Sequence, residues 1–447
     1  MKNEDLTVGK PYLVIISFAW PLMLACILQQ LYNTADTFIV GNFDSQRSLA
    51  AVGSCFNLIG LYVMLSVGLS LGNGILISNA FGAKDEAKMK KYAGNGCLLL
   101  MLLGLLISVF SWFSAEWILI KIIGVPKSIL EPAVVYIKIY SIGLFFQFGY
   151  NAFAAVLRAV GNSKSSFYFL LLTTVVNIVL DLLFVICFRW SVKGVALATT
   201  IAQAAAMLVS YVYMVKKYPL FKPNKTDWRL NYKLSLESIK SGFPLSLQSI
   251  IINVGFMILT NIANSFGEDM TISYTVANRL EFYMLVPMIA LWNAMTTFSS
   301  QNFGAKKYER LFNGMKQTVK MGVFLALVIG ALCFYFANQL AASFGIHGVS
   351  LGYATIHLKV VAVDLVLYAI YSPITATSAG VKKSYIVTLV SLIELTGRIL
   401  FALLLLPLIG KGCVWFNEPF AWGIVVAFVY AYYFIVLKKT ILSLKNG

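Results

Sequence analysis

The feature that most constrains this chain is a series of twelve apolar stretches, each long enough to cross a membrane. The hydrocarbon core of a bilayer is about 30 Å thick and requires roughly 20 apolar residues in a helix. Hydrophobic residues make up 59% of the chain and charged residues only 12%, which is more apolar surface than a water-soluble core buries. The sequence therefore predicts an all-α membrane protein with twelve transmembrane helices. The predicted spans, numbered one to twelve, are 12–40, 49–80, 92–120, 132–158, 166–188, 194–215, 243–266, 271–301, 317–344, 351–379, 384–409 and 417–437.

The longest polar stretch divides these spans into two sets of six. It covers residues 216–242, which contain several basic residues and two prolines. We therefore predict an amino-terminal lobe over residues 1–215, a cytoplasmic linker over 216–242 and a carboxy-terminal lobe over 243–447.

Short motifs recur between the two predicted lobes at nearly one offset. The sequence FGAK at 81–84 returns at 303–306, and WPL at 20–22 corresponds to FPL at 243–245. Two matches in equivalent places indicate an internal duplication. Because six is an even number, both lobes cross the membrane in the same direction. The repeat is thus predicted to be parallel, with a pseudo-two-fold axis along the membrane normal.

The net charge of +17 raises the question of a nucleic-acid partner, which the placement of the charges answers. Most of the 35 Lys and Arg lie in the termini and the even-numbered loops, and no predicted soluble domain collects them. This distribution follows the positive-inside rule. We expect a multi-pass protein of the cytoplasmic (inner) membrane, with both termini cytoplasmic and no nucleic-acid partner. We also expect it to be a monomer.

Two carboxylates and an amide inside predicted spans form the first candidate site. Asp36 lies in the first span, and Asn177 and Asp181 lie four residues apart in the fifth, which places them on one helix face. A charged side chain in a membrane helix costs about 2.5 to 3.5 kcal/mol on insertion scales, so it normally faces a partner or a wet cavity. A buried amide alone more often has only a structural role, as a hydrogen-bonding group between helices. A purely structural contact between helices does not require two acids. We therefore interpret the three side chains as an ion-coupling site.

Other polar residues inside the spans have structural interpretations. Glu394 and Arg398 have the i,i+4 spacing of a same-face ion pair, whereas Asp364 could be paired with Lys359 or free. Neither histidine has a neighbour at ligand spacing, so the sequence does not indicate a metal site there. The glycine-rich segment 68–74 lies inside a span and lacks the end of a phosphate loop, which favours close helix packing.

Pro21 and the segments 29–41, 81–84, 157–162, 177–181 and 301–306 are motifs that lie in order along nearly the whole chain. Together they resemble the multidrug and toxic compound extrusion (MATE) transporters, and most closely their prokaryotic DinF-like branch. The resemblance implies secondary active multidrug efflux by a cation-coupled antiporter with two six-helix lobes.

The resemblance also implies roles for individual residues. The family's coupling site for H⁺ or Na⁺ falls on Asp36, Asn177, Asp181 and Thr199, so these residues are also the candidate ligands of a Na⁺ ion. Its substrate-lining amides fall on Gln29 and Asn151, and its helix-bending proline on Pro21. Two positions depart from the family pattern: Leu182 replaces a proline that often follows the second aspartate, and Asn253 lies where another branch has a glutamate.

The expected substrates are small lipophilic compounds, many of them cationic. Tyr32 and neighbouring aromatic residues could supply apolar and cation–π contacts to such a cation. The resemblance implies no cofactor beyond H⁺ or Na⁺, and Asp364 is a secondary candidate for ion binding. A lipid-linked oligosaccharide flippase with a related bundle is the alternative. A membrane enzyme would need an intramembrane catalytic set, and the sequence contains no such set.

Overall fold

Twelve long helices account for most of the chain, as the sequence predicts. The computed structural model describes residues 5–446, apart from the side chains of Asn33, Ala35, Asp36, Thr37 and Asn446. Within that range, twelve helices are long and apolar enough to cross a membrane, which confirms the predicted number. A short helix, α13, follows the twelfth. The helices are α1 (Pro11–Phe43), α2 (Gln46–Gly82), α3 (Glu86–Ile118), α4 (Lys127–Ala159), α5 (Ser163–Leu182), α6 (Ser191–Lys217), α7 (Tyr232–Asn264), α8 (Glu268–Gly304), α9 (Tyr308–Ala342), α10 (Gly348–Gly380), α11 (Tyr385–Ile409), α12 (Gly412–Tyr432) and α13 (Lys438–Asn446).

The helices form two compact units, and two helices, α1 with Pro21 and α7 with Pro244, are each divided between them. Unit 1 contains Leu24–Ser246, and unit 2 contains Leu6–Met23 together with the chain from Leu247 onward. These units differ from the predicted lobes in two segments: the first part of α1 belongs to unit 2, and the first part of α7 belongs to unit 1. In addition, α7 begins at Tyr232, inside the predicted linker, because its first turns are polar enough to resemble a loop.

Each unit is organised around its fourth long helix. In unit 1, α4 packs against α2, α3 and α6, and in unit 2, α10 packs against α8, α9 and α12. The core of each unit is filled by apolar side chains, such as Phe148 and Phe153 in unit 1 and Phe298 and Trp422 in unit 2. This equivalence agrees with the predicted repeat of six helices.

The repeated FGAK motif ends a helix in the same way in both units. The backbone of Lys84, after α2, has φ of 55°, and that of Lys306, after α8, has φ of 56°. The Lys84 N–H donates to the oxygen of Phe81 at 3.0 Å, and the Lys306 N–H donates to that of Phe303 at 3.1 Å. A left-handed residue after the last turn is a common way to end a helix. The shared geometry confirms that the motif is a repeated structural element.

The glycine-rich segment 68–74 packs tightly against α7 within unit 1. A Cβ on Gly68 would lie 2.4 Å from the backbone nitrogen of Ser246. The Ser246 hydroxyl donates to the oxygen of Leu65 at 3.1 Å. The predicted role of these small residues in close helix packing is therefore confirmed.

The segment before α1, residues 6–9, is held by side chains at the junction of α8 and α9 in unit 2. The Leu6 N–H donates to Gln301 Oε1 at 2.9 Å. Lys307 Nζ donates to the Thr7 oxygen at 2.9 Å, and Arg310 donates to the Val8 oxygen at 2.9 Å. Together these bonds fix the entry to α1.

Candidate ion and substrate sites

Three predicted coupling residues are buried on two neighbouring helices of unit 1. Asn177 and Asp181 lie one turn apart on α5, and Thr199 lies on α6, which packs against α5. Asn177 and Asp181 are 0% exposed and Thr199 is 2% exposed. Within the described part of the chain, the Asn177 amide and the Thr199 hydroxyl have no hydrogen-bond partner. Carboxylate, amide and hydroxyl oxygens are the types of ligand that suit hard cations. The role of these three residues in ion coupling stays a prediction.

The fourth predicted coupling residue, Asp36, is described only by its backbone. It belongs to α1, in the part of that helix that lies in unit 1. The side chain lies outside the described residues. The meeting of the Asp36 and Asp181 carboxylates therefore stays a prediction.

The predicted substrate-lining residues also lie in unit 1. The Asn151 amide donates to the Ser66 hydroxyl at 3.0 Å and is half-buried. Gln29 is exposed and Tyr32 is half-buried, both on α1. An exposed amide and a half-buried phenol inside a membrane-spanning helix can contact a ligand. Their role as substrate contacts stays a prediction.

Pro21 and Pro244 both lie inside helices, close to the points at which those helices change unit. Pro21 is buried in α1, which passes from unit 2 to unit 1 after Met23. Pro244 lies in α7, which passes from unit 1 to unit 2 after Ser246. A proline inside a helix removes one backbone hydrogen bond and weakens the helix against bending. The first helix of each repeat therefore has a proline that favours bending close to the residue at which the helix changes unit.

Unit 2 contains a buried ion network that the sequence predicted only in part. Arg398 on α11 donates to Glu394 Oε1 at 2.9 Å, which confirms the predicted pair. The same guanidinium also donates to Glu418 on α12. Trp422 Nε1 donates to Glu394 Oε1 at 3.0 Å, and the guanidinium lies 5.8 Å from the Trp422 ring centroid. One arginine thus neutralises carboxylates on two helices.

A second part of this network joins three helices and was missed by the sequence reasoning. Oxygen and nitrogen atoms of Glu281 on α8, His357 on α10 and Glu418 on α12 lie within 4.8 Å of one another. His357 Nε2 is 3.8 Å from Glu281 Oε2. No spacing rule connects positions this far apart in the chain. The available signal was only that each residue lies inside or beside an apolar span.

Asp364 lies two turns after His357 on α10 and is within electrostatic range of Glu281 and Glu418. Neither carboxylate oxygen has a hydrogen-bond partner among the described residues. The amine of Lys359 lies 5.3 Å from the ring centroid of Phe334. Asp364 was predicted to be either paired with Lys359 or free of it, and these side-chain contacts favour the second alternative.

The two units together show which class of protein this is. Twelve helices are long and apolar enough to cross a membrane, and they form a repeat with buried acidic side chains in each unit. Together with the family match and the relatives described next, this architecture shows a membrane transporter rather than an enzyme. The sequence model of the MatE family matches residues 21–183 and 244–404, one segment in each repeat. The chain belongs to the multidrug and toxic compound extrusion (MATE) family.

Curated relatives extend over most of the chain. "Probable multidrug resistance protein YoeA" of Bacillus subtilis is 29% identical over 443 residues, which is 94% of this chain and 93% of that protein. "Multidrug export protein MepA" of Staphylococcus saprophyticus is 25% identical over 377 residues, covering 83% of this chain and 82% of that protein.

Solved structures of MATE proteins share the fold along the whole chain. A structure described as MATE in the bent conformation has a TM-score of 0.94 at 22% identity and covers 100% of both chains. An outward-facing multidrug resistance MATE family transporter has a TM-score of 0.92 at 23% identity, covering 100% of this chain and 99% of the other. These likenesses establish the fold.

Proposed function

We propose that the chain exports small lipophilic organic compounds, many of them cationic, in exchange for H⁺ or Na⁺. The observation that carries this proposal is the complete burial of Asp181 beside Asn177 on a membrane-spanning helix. A carboxylate at such a position is expensive unless it serves an ion or a partner. The names of the relatives, a multidrug resistance protein and a multidrug export protein, support the choice of substrates.

The proposed coupling site consists of Asp36, Asn177, Asp181 and Thr199. When the site holds H⁺ or Na⁺, it is neutral or nearly so and attracts a cationic compound much less. When the ion leaves, the bare carboxylates form an anionic pocket in apolar surroundings, where a lipophilic cation is stabilised. The ion and the compound therefore exclude each other, and this competition is the physical basis of the antiport.

Gln29, Tyr32 and Asn151 are the proposed contacts to the exported compound. The amides of Gln29 and Asn151 offer both donors and acceptors. Tyr32 offers an aromatic face to a cation, which is worth about 0.5 to 2 kcal/mol depending on how dry the site is. A few polar contacts with an aromatic surface suit compounds that vary in shape but share a charge.

Pro21 is the proposed bending point that links the coupling site to access. It lies in α1, the helix that also carries Asp36. A charged Asp36 favours polar surroundings and a neutral Asp36 favours apolar ones. Because Pro21 lacks a backbone hydrogen bond, α1 can bend at this point when the charge of Asp36 changes. Bending would then expose the pocket to one side of the membrane or the other.

The number of carboxylates bears on the stoichiometry. Each charge that crosses 100 mV is worth about 2.3 kcal/mol. Exchange of one proton for one monovalent cation moves no net charge and gains nothing from the potential, whereas two carboxylates can carry two protons. We propose electrogenic exchange for monovalent cations. Transport that does not change when the membrane potential is clamped would contradict it.

The proposed setting is the cytoplasmic membrane, with both termini on the cytoplasmic side and the protein acting as a monomer. The basic residues support this orientation, because they concentrate in the termini and in alternate loops. Labelling of single cysteines at residues 5–10 in intact and opened cells would measure the orientation directly.

The experiment that tests the coupling site is dye efflux from vesicles under imposed pH or Na⁺ gradients, with wild type and Asp36→Asn. We expect the variant to lose gradient-driven efflux while the wild type responds to one of the two gradients, which identifies the ion. Unchanged efflux by the variant would remove the coupling role. A passive channel would allow downhill flux but no uphill transport.

A further inference from the structure

The buried network of unit 2 contains more acid than its one arginine can neutralise. Arg398 contacts Glu394 and Glu418, and Glu281 and Asp364 lie in the same network. Four carboxylates and one guanidinium leave a net charge of −3 if His357 is neutral. Buried charges that lack compensation are strongly unfavourable. The network therefore requires further positive charge, either as protons or as a bound cation.

Three side chains of the network have the composition and spacing of metal ligands. The ligand atoms of Glu281, His357 and Glu418 lie within 4.8 Å of one another. In a tetrahedral site with bonds of 2.0 to 2.2 Å, ligand atoms lie roughly 3.4 Å apart. Closing the set around an ion thus requires side-chain adjustments of about 1 Å. Because each ligand comes from a different helix, such an ion would join α8, α10 and α12.

Two buried polar side chains of α10 also lack hydrogen-bond partners among the described residues, which indicates a missing ligand. His357 is 4% exposed and its Nδ1 has no hydrogen-bond partner among the described residues. Asp364 is 3% exposed, and neither of its oxygens has one. Buried polar atoms are rarely left in this condition in folded proteins. His357 and Asp364 lie two turns apart on α10, and His357 Nε2 is 3.8 Å from Glu281 Oε2.

We propose that Glu281, His357 and Glu418 bind one divalent transition-metal ion, with Asp364 as a neighbouring anion that completes the site. An imidazole with carboxylates suits Zn²⁺, Mn²⁺, Fe²⁺ or Co²⁺, whereas Mg²⁺ and Ca²⁺ prefer oxygen ligands alone. The contact between Arg398 and Glu418 uses one carboxylate oxygen, Oε1, and leaves the other for the ion. The ion cancels two of the three surplus charges. This site is separate from the coupling residues of unit 1 and does not depend on the proposed antiport.

The test is metal binding by the purified full-length protein, prepared without a polyhistidine tag. The protein is stripped with EDTA, equilibrated with Zn²⁺, freed of unbound metal and assayed by inductively coupled plasma mass spectrometry. We expect one Zn²⁺ per chain. Glu281→Gln and His357→Asn should each weaken binding by at least about tenfold, the lower limit found even for the loss of an outer-shell partner.

The chain offers a matched control for the histidine, because it contains only two. His347 is exposed in the loop before α10, so His347→Asn should bind Zn²⁺ as the wild type does. X-ray absorption of the Zn²⁺-loaded His347→Asn protein should show scattering from one imidazole, which can then come only from His357. This measurement remains decisive even if His357→Asn fails to fold.

Three results would overturn the proposal. They are the absence of retained Zn²⁺ in folded wild type, equal binding by folded His357→Asn, and an absorption spectrum without imidazole scattering. The first result would mean that the network is neutralised by protons alone. Asp181→Asn should leave the metal content unchanged, so failure of this proposal and failure of the coupling site are distinguishable.

Discussion

Gly72 of α2 and Gly242 of α7 are in backbone contact: a Cβ on Gly72 would lie 2.1 Å from the Cα of Gly242. Side chains do not approach backbone atoms this closely. Only glycine therefore permits the two helices of unit 1 to pack at this distance.

Gly72→Ala should destabilise the protein because the added methyl group forces α2 and α7 apart. Overpacking of this kind costs about 1 to 3 kcal/mol. The change should appear as a lower melting temperature of the purified protein in detergent. Gly60→Ala is the control, since nothing lies within 4 Å of a Cβ at Gly60 of the same helix. Equal melting temperatures for the two variants would contradict the packing argument.

Arg398→Met should be strongly destabilising. It leaves the carboxylates of Glu394 and Glu418 buried without their cation, and breaking a buried pair in this way costs about 3 to 5 kcal/mol. Thermal or denaturant unfolding measures the loss. Lys445→Met removes an exposed ion pair with Glu309, at 2.6 Å, and should leave the melting temperature unchanged because exposed pairs contribute little. A comparable loss in both variants would indicate a general effect of charge removal.

Asp181→Asn should reduce gradient-driven efflux to the level of membranes without the transporter, with the protein still folded. The variant keeps the size of the side chain but cannot release a proton or balance a Na⁺ ion. Asp85→Asn is the matched control: Asp85 caps α3 by accepting from the Lys88 N–H, and Asn caps helices equally well. Both proteins are compared at equal membrane expression. Full efflux by Asp181→Asn would refute the coupling role.

The cap of α3 should have a defined pH dependence. The Lys88 N–H, and after it the Lys88 side chain, hold the pKa of Asp85 below its ordinary value of 3.8. Because the folded pKa is lowered, the contribution of Asp85 is fully present above pH 3.8 and is lost as the pH falls through the lowered value. The melting temperature of the wild type should therefore fall relative to Asp85→Asn on acidification below that point. A constant difference would contradict this.

Arg310→Ala should release the segment before α1. Arg310 donates to the backbone oxygens of Leu6 and Val8, at 3.1 and 2.9 Å. Amide hydrogen exchange in a peptide covering residues 6–9 should accelerate, because local opening exposes the Leu6 N–H. Lys316→Ala, an exposed position on α9, should leave exchange unchanged. Slow exchange in Arg310→Ala would mean that Gln301 and Lys307 are sufficient to hold the segment.

The features that depend on local pattern could be predicted from the sequence. Helix number follows from apolar length, and the repeat follows from motifs such as FGAK, whose lysines adopt the same left-handed conformation in both copies. The Glu394–Arg398 pair follows from helical spacing alone. In each case the interacting groups are close in sequence or copied by duplication.

Features that depend on contacts between distant segments could not be predicted. Glu281, His357 and Glu418 meet only because α8, α10 and α12 pack together, and no spacing encodes that packing. The change of unit within α1 and α7 has the same origin, since an unbroken helix gives no sign of which neighbours its two halves contact. The start of α7 at Tyr232 could not be predicted for a different reason. An apolar stretch marks only the part of a helix that lies in the membrane, whereas α7 begins with polar turns before that part.

The membership of residues 6–23 in unit 2 has a consequence for biogenesis. Ile15 and Phe18 of this segment belong to the same buried apolar cluster as residues of α8 and α9, which the ribosome synthesises much later. Until then the insertion machinery or surrounding lipid must shield that apolar surface, because exposed hydrophobic segments of unfinished chains aggregate. A nascent chain stopped before α8 would thus hold a first helix whose early residues lack native neighbours, and its maturation would await the synthesis of α8 and the helices after it.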